Sequence, residues 1–134
     1  MTASEYFAAL ADAVREHRKA ELLLTFGQPR GGDTVGGSAS VSDPVLARAI
    51  SDEAARAILE ATEDVIGDGL RVIANLRRIY PGMAEVLELK YIDLLTWAQV
   101  ADELNIGAST ARLYQSLIFK FVDSVGLARI RELV

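Results

Sequence analysis

The chain has 134 residues, of which 51% are hydrophobic, with a net charge of −5, one histidine and no cysteine. That length gives one domain, or a small domain with an appendage, and that hydrophobic share is enough for a core. The acidic balance means the molecule as a whole does not attract nucleic acid, and the missing cysteines exclude disulfides and thiolate metal sites and fit a cytoplasmic location.

The first predicted helix runs from about Ser4 to Thr25. Thr2 and Glu5 form a capping-box pair before it. Tyr6, Leu10, Ala13, Val14, Leu22, Leu23 and Leu24 make its apolar stripe. The acids inside this opening run distinguish it from a signal peptide. No apolar stretch of the sequence approaches the roughly 20 residues needed to span a bilayer. The cluster Arg15, His17, Arg18 and Lys19 reads as a solvated helix face.

Residues 26–42, FGQPRGGDTVGGSASVS, carry five of the ten glycines and have no periodicity. This is the composition of a flexible loop. The glycine pairs match no phosphate loop, since neither a lysine follows nor a strand precedes.

A long second helix is expected from Asp43-Pro44, with aspartate as cap and proline at the first helical position. Its apolar series is Leu46, Ile50, Ala54, Ala57, Ala61, Val65, Leu70, Ile73, Leu76 and Tyr80. Gly67-Asp68-Gly69 marks a bend, because each glycine costs a helix about 1 kcal/mol relative to alanine. Tyr80-Pro81-Gly82 ends it. The expected fold is all-α: a long antiparallel helical hairpin over residues 1–81, followed by a three-helix unit over residues 82–134.

The last unit is the informative one. After a short helix, Thr96 and Gln99 make a second capping box, and Trp97, Val100, Ala101 and Leu104 recur on one helical face. Asn105-Ile106-Gly107 makes a turn in which glycine is expected to supply the backbone freedom. A new helix begins near Ala108, with Ala111, Tyr114, Leu117, Ile118, Phe121 and Val125 facing inward. Tyr114 and Ala111 are expected to pack on Trp97 and Tyr91. This layout is that of a helix-turn-helix, whose second helix lies in the major groove of DNA.

On that reading the outward residues Ala108, Ser109, Thr110, Arg112, Gln115 and Ser116 reach base edges, with Arg112 suited to guanine and Gln115 to adenine. Lys120, together with Arg77 and Arg78 on the preceding long helix, is placed to contact phosphates. Charge tells against strong binding by one module. From Gly82 to Val134 there are five basic and seven acidic residues, a net −2, whereas DNA affinity depends on phosphate neutralisation.

The residues Leu89-Lys90-Tyr91-Ile92, Thr96-Trp97-Ala98-Gln99-Val100-Ala101, Leu104-Asn105-Ile106 and Thr110 resemble the −35-reading domain of primary sigma factors. Within that superfamily the chain is most similar to small phage-encoded transcription regulators of the RinA and ArpU kind. The likeness extends upstream through Gly36-Gly37-Ser38 and Asp43-Pro44. It departs at Gly107, where serine is the usual cap, at Ser109, where a basic residue is common, and at Ala111, which replaces a larger aliphatic.

The resemblance implies a sequence-specific transcriptional regulator of phage or prophage operons in the bacterial cytoplasm. Its partners would be double-stranded DNA and RNA polymerase, and it would form a homodimer through the N-terminal helices. Two other readings stay open: a protein-interaction module with a degenerate DNA surface, and a small DNA-packaging (terminase) subunit. No nucleophile, base or metal constellation appears, so neither catalysis nor a cofactor is expected.

Overall fold

A computed structural model describes residues 1–26 and 44–132, and every regular element among them is helical. These are α1 (Ala3–Phe26), α2 (Pro44–Ile79), α3 (Pro81–Leu87), α4 (Trp97–Leu104), α5 (Ala108–Val125) and α6 (Leu127–Glu132). A π-helical turn, Glu88–Ile92, continues α3. Among the described residues no helix is long and apolar enough to cross a membrane. The predicted loop at 26–42 lies, beyond its first residue, outside the described residues. So do the Asp43 cap, the side chains of Leu46 and Ile50, and the last two residues of the expected terminal turn.

The chain divides into two compact units, one of residues 1–14 and 65–134, the other of residues 15–64. The boundary read from the sequence at 81/82 follows neither. The reason is burial: Phe7, Leu10, Val72, Ile73 and Leu76 lie in one apolar cluster with Ala84, Leu87, Ile118 and Ile130. The first turns of α1 and the last turns of α2 therefore share one core with α3, α5 and α6.

The capping boxes form as the sequence predicts. At α1, the Thr2 N–H donates to Glu5 Oε1 at 2.8 Å and the Glu5 N–H to Thr2 Oγ1 at 3.1 Å. The α2 stripe is inward as expected only at Ile73 and Leu76, which are buried. Ala54, Ala57, Ala61, Val65, Leu70 and Tyr80 are exposed, and Ala55, Thr62, Gly69 and Val72 are buried in their stead. Alanine's small apolar surface marks a face weakly, so the spacing of alanines misidentified the inward side.

Helix α2 continues through Gly67-Asp68-Gly69. The two glycines have different surroundings. A Cβ at Gly67 would meet nothing within 4 Å, whereas one at Gly69 would lie 2.5 Å from Leu10 Cδ1. Gly69 is thus a close-approach site for α1.

In the unit of residues 15–64, Ala20 and Ala55 are buried. His17 is half-buried rather than solvated, with Nδ1 2.8 Å from Thr62 Oγ1. The Thr62 hydroxyl donates to the Ile58 carbonyl at 2.8 Å.

The C-terminal helix is tied down by polar contacts. Ile130 is fully buried, and the buried Asn75 donates from Nδ2 to the Ile130 carbonyl at 2.8 Å. Asp68 accepts two bonds from Arg131, Nε to Oδ1 and Nη2 to Oδ2, each at 2.9 Å, and a third from the Tyr6 hydroxyl. Partial burial pushes the Asp68 carboxyl upward, but the bonds from Arg131 and Tyr6 outweigh it and hold its pKa below the ordinary value. Burial, and then the Asp68 carboxylate, push the Tyr6 hydroxyl far above its usual range.

Candidate nucleic-acid interface

Helix α4 starts where the sequence places it. Thr96 accepts from the Gln99 N–H at 3.2 Å, and Gln99 Oε1 accepts from the Thr96 N–H at 2.9 Å. The turn works differently from expectation. Its left-handed residue is Asn105, at φ 57 and ψ 45, while Gly107 sits in ordinary extended geometry at φ −77. The Ile106 N–H reaches the Ala101 carbonyl at 3.0 Å and the Asn105 N–H reaches the Asp102 carbonyl at 3.2 Å. That bond pair is a Schellman ending, and asparagine tolerates its left-handed position better than most side chains. Leu94, at φ 59, ends the preceding π-helical turn in the same region, with its side chain packed on the larger core.

A second apolar cluster holds α4 and α5 together. Val86, Leu89, Val100 and Ala111 form it, with Trp97, Leu104, Ile106 and Tyr114 packed around them. Tyr114 and Ala111 face Trp97's cluster as expected. Tyr91 instead joins the larger core, with its ring 5.5 Å from Phe7 and 6.1 Å from Phe119. Burial pushes its hydroxyl up to about 12. The reason is α1: Phe7 supplies an aromatic surface from a segment far away in sequence.

The far half of α5 is clasped by the chain's beginning. The Ala3 N–H donates to Asp123 Oδ1 at 2.7 Å, and Phe7 stacks on Phe119 with centroids 5.5 Å apart. The near half stays open. Ser109, Arg112, Ser116 and Lys120 are exposed, and Ala108, Thr110 and Gln115 are half-exposed. No acid occurs in α5 before Asp123. The outer face from Ser109 to Lys120 therefore presents hydroxyls and two cations.

Three expected contacts take a different form. Gln115 Oε1 accepts the Tyr91 hydroxyl, so this side chain is engaged within the unit rather than fully presented outward. Arg77 does not present a free guanidinium; it is paired with Glu85 and Glu88. Leu117 is 40% exposed and faces outward, and Val122 takes the inward place. Arg78 is exposed, as a phosphate contact requires.

Two features escaped the sequence reading. Leu113, on the outer face of α5, is 54% exposed. Its spacing two residues past Ala111 was the available signal. The other is a brace: Lys90 Nζ lies 4.9 Å from the Trp97 ring centroid and the Arg112 guanidinium 5.8 Å from it. Lys90 also donates to the Leu95 carbonyl at 3.1 Å. Cation–π attraction thus orients Arg112 from α4, although Trp97 and Arg112 are far apart in sequence. Two acids, Asp102 and Glu103, are exposed on α4. Among the described residues no group of three or more metal-ligating side chains occurs.

No protein-family model, no curated protein and no solved structure matches this chain.

Proposed function

We propose that this protein is a sequence-specific DNA-binding transcriptional regulator that lays the first half of α5 in the major groove. The observation that carries the reading is the outer face from Ser109 to Lys120, exposed, free of acids and bearing Arg112 and Lys120. The completed capping box of α4 and the tight turn from α4 into α5 support a helix-turn-helix reading of this face. Arg112, oriented by Trp97, reads guanine through its fork of donors; Ser109, Thr110 and Ser116 bond bases or phosphate oxygens. Lys120 and Arg78 neutralise phosphates.

The sigma-like pattern of residues 89–110 supports a role at phage or prophage promoters in the bacterial cytoplasm, with RNA polymerase as a second partner. Pairing of two copies through the N-terminal helices would supply the avidity that one weakly charged module lacks.

The net −2 of residues 82–134 and the exposed Asp102 and Glu103 favour a second reading, a module that docks on protein. Selection from a random-sequence duplex pool at low salt, followed by a salt titration, separates the two. DNA binding predicts recovery of a preferred sequence and affinity that falls linearly with log salt. No retention at low salt overturns the proposal in favour of protein docking.

A further inference from the structure

Leu113 and Leu117 stand 54% and 40% exposed on the face of α5 that carries Ser109, Arg112, Ser116 and Lys120. They are one helical turn apart, about 6 Å along the axis. Neither packs into either apolar cluster of the unit. Leu113 is the sixth residue of α5, in the half of a recognition helix that approaches base edges.

The occupant is constrained by charge and by size. Arg112 adjoins Leu113 and Lys120 follows Leu117, with no acid between them on the helix, which suits a polyanion. Two leucine side chains also fall far short of the roughly 800 Å² per partner of a stable protein interface. On the major-groove edge of base pairs the apolar group is the 5-methyl of thymine, and apolar side chains are its partners.

We propose that Leu113 is a specificity-determining residue that reads a thymine 5-methyl group in the major groove, with Leu117 covering the contact from the next turn. This rests on the DNA-binding reading. The methyl group loses water against the leucine, and the adjoining Arg112 fixes the register by bonding a neighbouring base or phosphate. The resulting preference is thymine beside the position that Arg112 reads.

The test uses the full chain and a duplex recovered from a random-sequence pool. Each thymine is replaced in turn by deoxyuridine, which removes only the methyl, and dissociation constants are measured for wild type and Leu113→Ala. Because Leu113 is exposed, the variant should retain the wild-type helical circular dichroism.

One thymine per half-site should matter: its replacement weakens wild type about fourfold, the weight of one buried methyl-sized group. Leu113→Ala should lose a similar factor on the unmodified duplex and respond no further to that replacement. Wild-type indifference to every replacement, or undiminished sensitivity in Leu113→Ala, overturns the proposal while leaving DNA binding intact. A change in the sedimentation mass of the DNA-free variant overturns it by assigning Leu113 to self-association. Failure to recover any duplex overturns both this proposal and the reading beneath it.

Discussion

The two apolar clusters of the unit formed by residues 1–14 and 65–134 are built in opposite ways. The smaller one, around Val86, Leu89, Val100 and Ala111, draws on a single continuous stretch and holds α4 against α5. The larger one gathers side chains from Ala3 to Ile130 and holds the far half of α5 against the chain's two ends. One helix is thereby fixed by local packing at its open end and by distant packing at its covered end. The difference teaches that the presented face of α5 depends on α1 and α6, neither of which carries a residue proposed for DNA contact.

Removing the largest distant anchor is expected to have the greatest effect. Phe7→Ala deletes a fully buried ring that stacks on Phe119 and should cost about 3–5 kcal/mol. Chemical denaturation measures this, and amide exchange shows where protection is lost. Loss spread over α5 and α6 supports dependence on the distant core, whereas loss confined to α1 breaks the comparison.

The two α2 glycines should respond with opposite sign. Gly69→Ala drives a methyl into Leu10 and should destabilise by about 1–3 kcal/mol. Gly67→Ala, in open space within the same helix, should stabilise by about 1 kcal/mol. Thermal melts of the pair test whether close approach of α1, rather than a bend, explains the motif.

The Asp68 clasp is smaller and depends on pH. Its carboxyl has a folded pKa below the ordinary 3.8. Its contribution is therefore full above that value and is lost as pH falls through the lower folded value. Asp68→Asn should cost about 1 kcal/mol at neutral pH, and the gap from wild type should close as the medium is acidified below the ordinary carboxylate range. A gap independent of pH would refute the assignment of that stability to the carboxylate.

The smallest change is in the turn. Gly107 has the extended geometry of a helix cap but no side-chain bond to α5, so Gly107→Ser should stabilise by a few tenths of a kcal/mol. Destabilisation would show that the open end of α5 has constraints beyond its local packing.

The legible features of this molecule were those settled by neighbours in sequence. Thr2–Glu5 and Thr96–Gln99 each satisfy two backbone donors within one turn, and Pro81 stops α2 for steric reasons. The stripe on α4 and the exposure of Ser109, Arg112 and Ser116 follow from helical spacing. What stayed hidden depended on partners brought together by the fold. Asn105 and Gly107 are both suited to a turn, and the carbonyls that remained unpaired at the end of α4 decided which took the left-handed place. Arg77 reads as a free cation until Glu85 and Glu88 fold back onto it. The inward phase of α2 was ambiguous because alanine contributes little to either face, and the Gly69–Leu10 approach needed both helices.

The most direct test of the central claim, that the outer face of α5 meets base pairs, is the affinity of Arg112→Ala for a duplex selected by the wild-type protein. Specific binding should weaken by about 1–3 kcal/mol, roughly fivefold to 150-fold, with sequence preference relaxed at one position. Unchanged affinity and unchanged preference would contradict the account.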